Sequence, residues 1–302
     1  MLANRLCVVT GANTGIGRVI ATELAAAGAH VVMACRSRER TEPVALDIRT
    51  RTNNSRVEYR HLDLASLSSV RAFATELLAD GQPPVSVLVN NAGLMSQAWE
   101  LTADGFERTW QVNALGPFLL TQLLLPSLLR AADQAGGAPG SARVVNVGSR
   151  LEKTGDVQTD LQQVAEPTAR FRGAADTFNT FKAYGTSKLA LSALTFEQAR
   201  RCKQHAGLAV TLCTPGMVNT DLSRFAPLWA RALSAPLRWL LLRTPETGAE
   251  TPVWLSSSTD AAALQSGGYF YDRKTIEASP TARDEAVATA LWDTCVTQTR
   301  LA

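Results

Sequence analysis

Two side chains that could exchange a proton, Tyr184 and Lys188, stand four residues apart. Residues at this spacing share one face of a helix, and an ammonium beside a phenol favours the phenolate. A free tyrosine has a pKa of about 10, so a tyrosine that exchanges protons near neutral pH needs such help. The pair therefore predicts that Tyr184 is an acid/base assisted by Lys188. Taken alone, the spacing also fits an ordinary amphipathic helix whose lysine reaches towards solvent.

A glycine-rich turn near the N-terminus has the residues needed to bind a pyrophosphate. It follows an apolar run at residues 6–9 and precedes a helical pattern at residues 17–27, the order of strand, turn and helix found in a dinucleotide site. Gly11 permits the sharp turn, Gly15 lets the backbone approach the phosphates, and Gly17 allows close helix packing. The helix N-terminus then directs its amide groups and positive dipole at the anion. The predicted contacts are Gly11, Asn13, Thr14, Gly15, Ile16 and Gly17.

The residues after the second apolar run bear on the choice of nicotinamide cofactor. An acidic side chain there would bind the ribose 2′-hydroxyl of NAD, but position 35 is a cysteine, and Arg36 can pair with a 2′-phosphate. The sequence therefore predicts NADP (NADPH), bound by Arg36 and Arg38, in preference to NAD. The alternative is that both arginines are solvated surface charges.

Apolar runs separated by helical patterns recur along the chain. Runs at residues 31–35, 85–89, 144–147 and 208–213 join the first one as strands buried on both faces of a sheet. Their alternation with helices predicts an α/β fold of the Rossmann type, a doubly wound parallel sheet with helices on both faces. One dinucleotide-binding domain at residues 1–302 accounts for that order.

Composition and missing motifs argue against several other functions. The 302 residues are 46% hydrophobic and 19% charged, and the net charge of +3 shows no basic run interleaved with aromatics, so no nucleic-acid partner is expected. The three histidines are far apart and predict no metal site. The five cysteines form no Cys-x-x-Cys pair and favour a reduced setting. No signal peptide precedes the first strand and no stretch approaches the roughly 20 apolar residues of a membrane span, so a cytoplasmic protein is expected.

Seven short motifs occur in the order typical of the short-chain dehydrogenase/reductase family, over about residues 6–220. Each is weak alone, but the complete set in order leaves little room for coincidence, and the chain therefore resembles that family. The resemblance implies interconversion of a carbonyl and an alcohol by hydride transfer, with Tyr184 as the acid/base. The motifs are the glycine turn, Asp63-Leu64, Asn90-Asn91-Ala92-Gly93, Asn113, Ser149, the pair Tyr184 and Lys188, and Pro215-Gly216.

The resemblance also implies roles for individual residues. Ser149 would hydrogen-bond the substrate oxygen, and Lys188 would hold the nicotinamide ribose as well as assist Tyr184. Asn113 would position a water that links these groups to bulk solvent. Taken singly, Ser149 also fits a strand-end turn and Asn113 a helix-terminal hydrogen bond. The other cofactor contacts that it implies are Asp63 and Leu64 at the adenine, Asn90, Ala92 and Gly93 after the fourth strand, and Pro215, Gly216, Val218 and Thr220 in the loop over the nicotinamide.

Within the family the chain most resembles the retinol-dehydrogenase-like branch, through stretches such as residues 90–95, 116–121 and 244–251. That resemblance implies a lipophilic small-molecule substrate: a retinoid, steroid, aldehyde or ketone. An apolar segment at residues 224–244 is a candidate flap, which fits a pocket lining, peripheral contact with a membrane, or packing on the core or a partner subunit. A polar insertion at about residues 150–180 borders the pocket and weakens any transfer of substrate by analogy.

Two other functions stay open from the sequence. A redox sensor or scaffold would bind NADP with little turnover, but it would not need the set Asn113, Ser149, Tyr184 and Lys188. A reductase of a secondary-metabolite pathway would use the insertion to select its substrate. The resemblance also permits a homo-oligomer through the helices around Asn113 and Tyr184, although one sequence shows no interface.

Overall fold

The protein is built around one twisted sheet. A computed structural model describes residues 2–79, 81, 83–157, 178–218 and 242–301. The strands in those residues are β1 Leu6–Thr10, β2 His30–Cys35, β3 Val57–His61, β4 Val85–Asn90, β5 Ala142–Val147, β6 Leu208–Cys213, β7 Tyr269–Tyr271 and β8 Lys274–Thr275. They join in the order β3-β2-β1-β4-β5-β6-β7-β8. All neighbouring pairs are parallel except β7 and β8, which are antiparallel.

Helices cover both faces of this sheet, as predicted for a doubly wound α/β fold. Those in the described residues are α1 Gly15–Ala26, α2 Arg38–Thr52, α3 Leu67–Leu77, α4 Arg108–Trp110, α5 Gly116–Gln134, α6 Thr180–Arg201, α7 Pro245–Ser257, α8 Pro280–Arg283 and α9 Glu285–Thr299. Buried side chains of α1, α2 and α7 pack on one face, and those of α3, α5 and α6 on the other. A π-helical turn, Gln111–Leu115, joins α4 to α5, and a 3₁₀ turn, Arg150–Thr154, follows β5.

The apolar runs of the sequence are the central strands. β1, β4, β5 and β6 are buried at every position, and β2 is buried at all but its first residue. The edge strand β3 has the burial pattern of a half-exposed strand, which is why it forms no apolar run.

The order of the strands determines where a ligand can bind. β1 pairs with β2 on one side and with β4 on the other, so the connections that leave β1 and β4 run in opposite directions across the sheet. This reversal opens a crevice at the carboxyl ends of the strands, which is where open α/β sheets bind their ligands. The strand ends at Thr10, Asn90, Val147 and Cys213 therefore border the candidate site.

The C-terminal helix α9 adds a third layer over α5 and α6. Phe118 stacks edge-on against Trp292 with ring centroids 4.9 Å apart, and Trp110 Nε1 donates a hydrogen bond of 3.1 Å to Gln298 Oε1. Leu291 and Cys295 of α9 are fully buried in the same cluster. The chain's own helix thus covers part of α5 and α6, the helices through which the resemblance permits a homo-oligomer.

Two expectations from the sequence change in the structure. One helix within the described residues, Arg108–Gln134, is long and apolar enough to cross a membrane, so the expectation that no stretch approaches a span was wrong. Because 72% of its apolar window is buried inside the protein, core packing also accounts for its composition. Most of the insertion (residues 158–177), most of the flap (residues 224–241) and the predicted cofactor contact Thr220 lie outside the described residues.

Candidate functional site

The glycine turn after β1 forms a cradle that only glycine fits. Gly11 and Gly15 have φ angles of +64° and +52°, in the left-handed region that other residues rarely adopt. A Cβ at Gly17 would collide with the Gly11 carbonyl oxygen and with Asn91 Nδ2. At the start of α1, Thr14 makes no side-chain capping bond and the first turn holds no acidic residue. The helix N-terminus therefore keeps its amide donors for an anion, and the cradle fits a pyrophosphate.

Thr10 and Asn91 join this cradle to β4. Thr10 Oγ1 accepts hydrogen bonds from the backbone N–H groups of Asn91 at 3.0 Å and Ala92 at 2.9 Å. Asn91 Nδ2 donates in return to the Thr10 carbonyl at 2.9 Å. The motif Asn90-Asn91-Ala92-Gly93 was recognised in the sequence, but neither Thr10 nor Asn91 was assigned a role. Only the pairing of β1 with β4 shows that they fix the turn in place.

Tyr184 and Lys188 lie one turn apart on α6, and both are buried. Lys188 Nζ lies 5.8 Å from the centroid of the Tyr184 ring. The same ammonium donates a hydrogen bond of 2.8 Å to the Val147 carbonyl, at the end of β5. The predicted pair is thus brought together at the carboxyl end of a central strand.

Burial dominates the proton affinities of this pair. It raises the pKa of Tyr184 to about 12, although the hydrogen bond with Ser149 opposes the rise. It lowers the pKa of Lys188 to about 8, and the neighbouring Cys213 thiol opposes that fall. Lys188 lies over the ring of Tyr184, and its predicted stabilisation of the phenolate stays a prediction. The chain's own residues keep Tyr184 a neutral phenol at neutral pH, the form that can donate a proton.

Ser149 follows β5 and forms the N-cap of the 3₁₀ turn. Its Oγ accepts a hydrogen bond of 3.2 Å from the Leu151 backbone N–H. A hydroxyl that accepts from the backbone on one side keeps its own proton for donation on the other. Ser149 is near enough to lower the pKa of Tyr184 against the larger effect of burial, so the two hydroxyl groups lie in one part of the site.

Asn113 and Gly93 close the site behind Lys188. Asn113 is fully buried in the π-helical turn, and its amide both donates to the Leu94 carbonyl and accepts from the Leu94 N–H at 2.8 Å. It also donates to Ser187 Oγ at 3.0 Å. A Cβ at Gly93 would lie 3.4 Å from both Asn113 Oδ1 and Lys188 Nζ. Both amide hydrogens of Asn113 are used in these bonds, whereas its Oδ1 has a second lone pair that could accept from the predicted water, so the relay role stays a prediction.

The arginines predicted to select the cofactor lie beside the cradle, after β2. Arg36 is exposed and makes no ion pair with any described residue. Arg38, at the start of α2, lies 3.6 Å from Glu42 and over the ring of Tyr59. Cys35 is buried beneath the glycine turn, and burial raises the pKa of its thiol against hydrogen bonds from Thr41 and the turn amides. Arg36 is therefore the guanidinium with the most freedom to meet a phosphate.

The predicted adenine contacts lie at the end of β3. Asp63 Oδ1 accepts a hydrogen bond of 2.9 Å from the Ala65 N–H, and no described residue hydrogen-bonds its second oxygen. Leu64 is buried beside it. Asn90 is different, because its buried amide donates to Thr121 Oγ1 at 3.0 Å and to Asn146 Oδ1 at 2.8 Å. The Nδ2 group therefore ties β4 to its neighbours, whereas the buried Oδ1 has no hydrogen-bond partner among the described residues, and a cofactor contact at Asn90 stays a prediction.

The loop after β6 is held in place by Arg243. Gly216 has a φ of +78°, and a Cβ there would lie 3.1 Å from both Arg243 Cδ and Tyr271 Cε2. Arg243 Nη1 reaches the Pro215 carbonyl at 3.4 Å, and its backbone pairs with Val218 in an isolated bridge. Pro215, Gly216 and Val218 therefore form a fixed edge of the crevice. No local pattern points to Arg243, because its partners are distant along the chain.

No group of three or more metal-ligating side chains occurs in the described part of the chain. All five cysteines are free thiols and all are buried. The groups that this site offers for chemistry are therefore a phenol, an ammonium and a serine hydroxyl beside an anion cradle.

Known proteins similar to this chain match it over nearly its whole length, although the curated relatives are themselves longer. A sequence model of the short chain dehydrogenase family matches residues 5–159. Dehydrogenase/reductase SDR family member 13 of Bos taurus is 41% identical over 97% of this chain and 72% of its own length. Human retinol dehydrogenase 13 is 38% identical over 96% of this chain and 83% of its own. A solved structure from Beutenbergia cavernae, provisionally an NAD(P)-dependent gluconate 5-dehydrogenase with NADP at low occupancy, superposes with a TM-score of 0.65 and 30% identity over 89% of this chain and 94% of that one.

Proposed function

Since the chain belongs to the short-chain dehydrogenase/reductase family, we propose that it is an NADP-preferring oxidoreductase that interconverts a carbonyl and an alcohol, with Tyr184 as the acid/base. The observation that carries the proposal is the meeting of Tyr184, Lys188 and Ser149 at the end of β5. The cradle at Gly11, where β1 turns into α1, opens on the same edge of the sheet.

Each side chain has one task in the proposed reduction. The bound NADPH supplies the hydride that reduces the carbonyl carbon. Ser149 donates a hydrogen bond to the carbonyl oxygen, because its Oγ already accepts from Leu151. Tyr184, held as a neutral phenol, transfers its proton to that oxygen as negative charge develops there. Lys188 places a positive charge over the tyrosine ring, where it stabilises the phenolate that remains.

The substrate that we propose is lipophilic. A retinol dehydrogenase among the relatives supports a retinoid, steroid, aldehyde or ketone as the class to test first. We further propose that residues 1–302 form one dinucleotide-binding domain and that the protein works in the cytoplasm, which five buried free thiols support. Fractionation of cells into cytosol and membranes tests the location, and recovery in the membrane pellet would contradict it.

The cofactor preference depends on Arg36, and replacing it should reverse the preference. We expect Arg36→Ala to weaken NADPH binding by about 10- to 100-fold, the usual effect of losing a charge-assisted hydrogen bond, and to leave NADH binding unchanged. Fluorescence titration with each cofactor measures both affinities. Arg40→Ala is the matched control, because Arg40 is an equally exposed arginine of α2 whose side chain lies one turn further on. Selectivity for NADPH that survives Arg36→Ala would refute the assignment.

A further inference from the structure

The 3₁₀ turn after β5 fixes the position of Ser149. Ser149 Oγ accepts from the Leu151 N–H, and its carbonyl accepts from the Glu152 N–H at 3.0 Å. Both hydrogen bonds hold the serine to the turn, so the direction of its hydroxyl follows the turn's position. Contacts that fix the position of the turn therefore also fix the direction of the Ser149 hydroxyl.

One anchor is close backbone contact with α6. A Cβ at Gly185 would lie 2.5 Å from Thr154 Oγ1 and 2.9 Å from the Leu151 carbonyl, and a Cβ at Gly155 would lie 2.6 Å from the Gly185 carbonyl. These distances are shorter than real Cβ contacts, so two glycines are needed where the turn meets the helix. Because Gly185 follows Tyr184 directly, this contact sets the turn beside the tyrosine.

The other anchor is Glu152, in the middle of the turn. Its side chain is fully buried, and its two carboxylate oxygens accept hydrogen bonds from the Ser279 N–H at 3.0 Å and the Ser279 hydroxyl at 2.5 Å. Ser279 in turn caps α8, where its Oγ accepts from the Ala282 N–H. The turn beside the site is thus tied to a segment more than 120 residues further along the chain.

Burying a carboxylate at this position costs more free energy than burying an apolar side chain, so packing alone does not explain Glu152. No described lysine, arginine or histidine forms an ion pair with Glu152, so two hydrogen bonds offset its burial. An apolar side chain of similar volume packs a buried site at lower cost than a charge without a counter-ion. The two hydrogen bonds to the carboxylate hold the 3₁₀ turn in one position relative to Ser279, which an apolar side chain would not do.

We infer that Glu152 is a positioning residue, which acts through the 3₁₀ turn to hold the Ser149 hydroxyl at the reaction centre beside Tyr184. The inference rests on the proposed function, since it assigns Glu152 a part in that reaction. Loss of the anchor lets the turn move and costs Ser149 its alignment. The NADP cradle is formed by other elements and is unaffected.

A double-mutant cycle tests this coupling. Removing one preorganised hydrogen-bond donor to a reacting oxygen typically lowers kcat by about 10²- to 10³-fold, which is the loss expected for Ser149→Ala. We expect Glu152→Ala to lower kcat by at least about 10-fold and to leave the affinity for NADPH unchanged. In the Ser149→Ala background the same change should have little further effect, because both substitutions remove one interaction.

The pH profile of alcohol oxidation gives a second readout. The hydrogen bond from Ser149 opposes the rise in the pKa of Tyr184, so its loss moves that pKa upward. Oxidation needs the phenolate, and the acid limb of the profile should therefore move to higher pH in both Glu152→Ala and Ser149→Ala. Glu152→Gln keeps an oxygen that can accept from the Ser279 N–H and should recover most of the activity. Glu277→Ala, which removes an exposed carboxylate near Ser279, is the control and should leave kcat and the profile unchanged.

The outcomes separate the inference from the proposed function. Equal losses of kcat in the wild-type and Ser149→Ala backgrounds, or a normal kcat in Glu152→Ala, overturn the inference alone. A normal kcat in Ser149→Ala overturns the proposed function first. If Glu152→Ala does not fold, Ser279→Ala replaces it in the double-mutant cycle, because it removes one of the two hydrogen bonds to Glu152. It should lower kcat in the wild-type background and have little further effect in the Ser149→Ala background.

Discussion

Tyr184→Phe should abolish most of the turnover while leaving the protein folded and able to bind NADPH. The substitution removes one hydroxyl from a ring that is otherwise buried, so packing and the cofactor cradle are conserved. General acid–base catalysis contributes about 10²- to 10⁴-fold to a rate, and kcat should fall by that factor. Stopped-flow or steady-state oxidation of NADPH with an accepted carbonyl measures the loss, and fluorescence titration measures cofactor binding.

A second buried tyrosine provides the matched control. Tyr269 is 1% exposed, burial raises the pKa of its hydroxyl, and that hydroxyl makes no hydrogen bond with any described residue. Tyr269→Phe removes the same atom from a similar environment and should leave kcat within about 2-fold, because loss of an unpaired hydroxyl costs little. Near wild-type turnover in Tyr184→Phe, or an equal loss in both variants, would show that the acid/base is another group.

Lys188→Met should make the protein inactive and more stable at neutral pH. Burial lowers the pKa of Lys188 from 10.5 to about 8, so the unfolded chain binds the proton more tightly than the folded one. The resulting loss of stability is fully present below pH 8 and disappears as the pH rises towards 10.5. A shift of that size corresponds to about 3 kcal/mol, of which the lost hydrogen bond to Val147 cancels about 1 kcal/mol.

Thermal unfolding at two pH values tests this prediction. We expect Tm of Lys188→Met to exceed that of the wild type by several degrees at pH 7, and the difference to shrink by pH 10. kcat should fall sharply at both pH values, because the phenolate of Tyr184 loses its nearest positive charge. A difference in Tm that does not change with pH, or a less stable variant at pH 7, would contradict the account of Lys188 as a strained functional residue.

The central strands and the cradle could be predicted because their signals are local. Four fully buried strands each form an apolar run, and the three glycines of the cradle lie in the short segment between positions 11 and 17. The pair Tyr184 and Lys188 is also local, since one helical turn brings the two side chains together. Such patterns can be recognised in the sequence because each depends on residues only a few positions apart.

The contacts that align the site were not predictable from local patterns. Glu152 accepts hydrogen bonds from Ser279, and Arg243 lies against Pro215 and Tyr271. These residues are far apart along the chain and meet only in the folded protein. The pKa values of Tyr184 and Lys188 could not be predicted from the sequence either, because burial shifts them and burial depends on tertiary packing. The local spacing predicts that Lys188 meets Tyr184, whereas only the fold shows that burial raises the pKa of the tyrosine.

The proposed reaction has a direct chemical signature. NADPH that carries deuterium at C4 of its nicotinamide should be incubated with the protein and a panel of retinal, steroid ketones, aliphatic aldehydes and quinones, and the products analysed by mass spectrometry. We predict that at least one carbonyl becomes an alcohol with deuterium on the former carbonyl carbon, and that Tyr184→Phe yields almost none. Tight binding of NADPH with no deuterated alcohol from any member of the panel would contradict the account and favour a protein that binds the cofactor without turning it over.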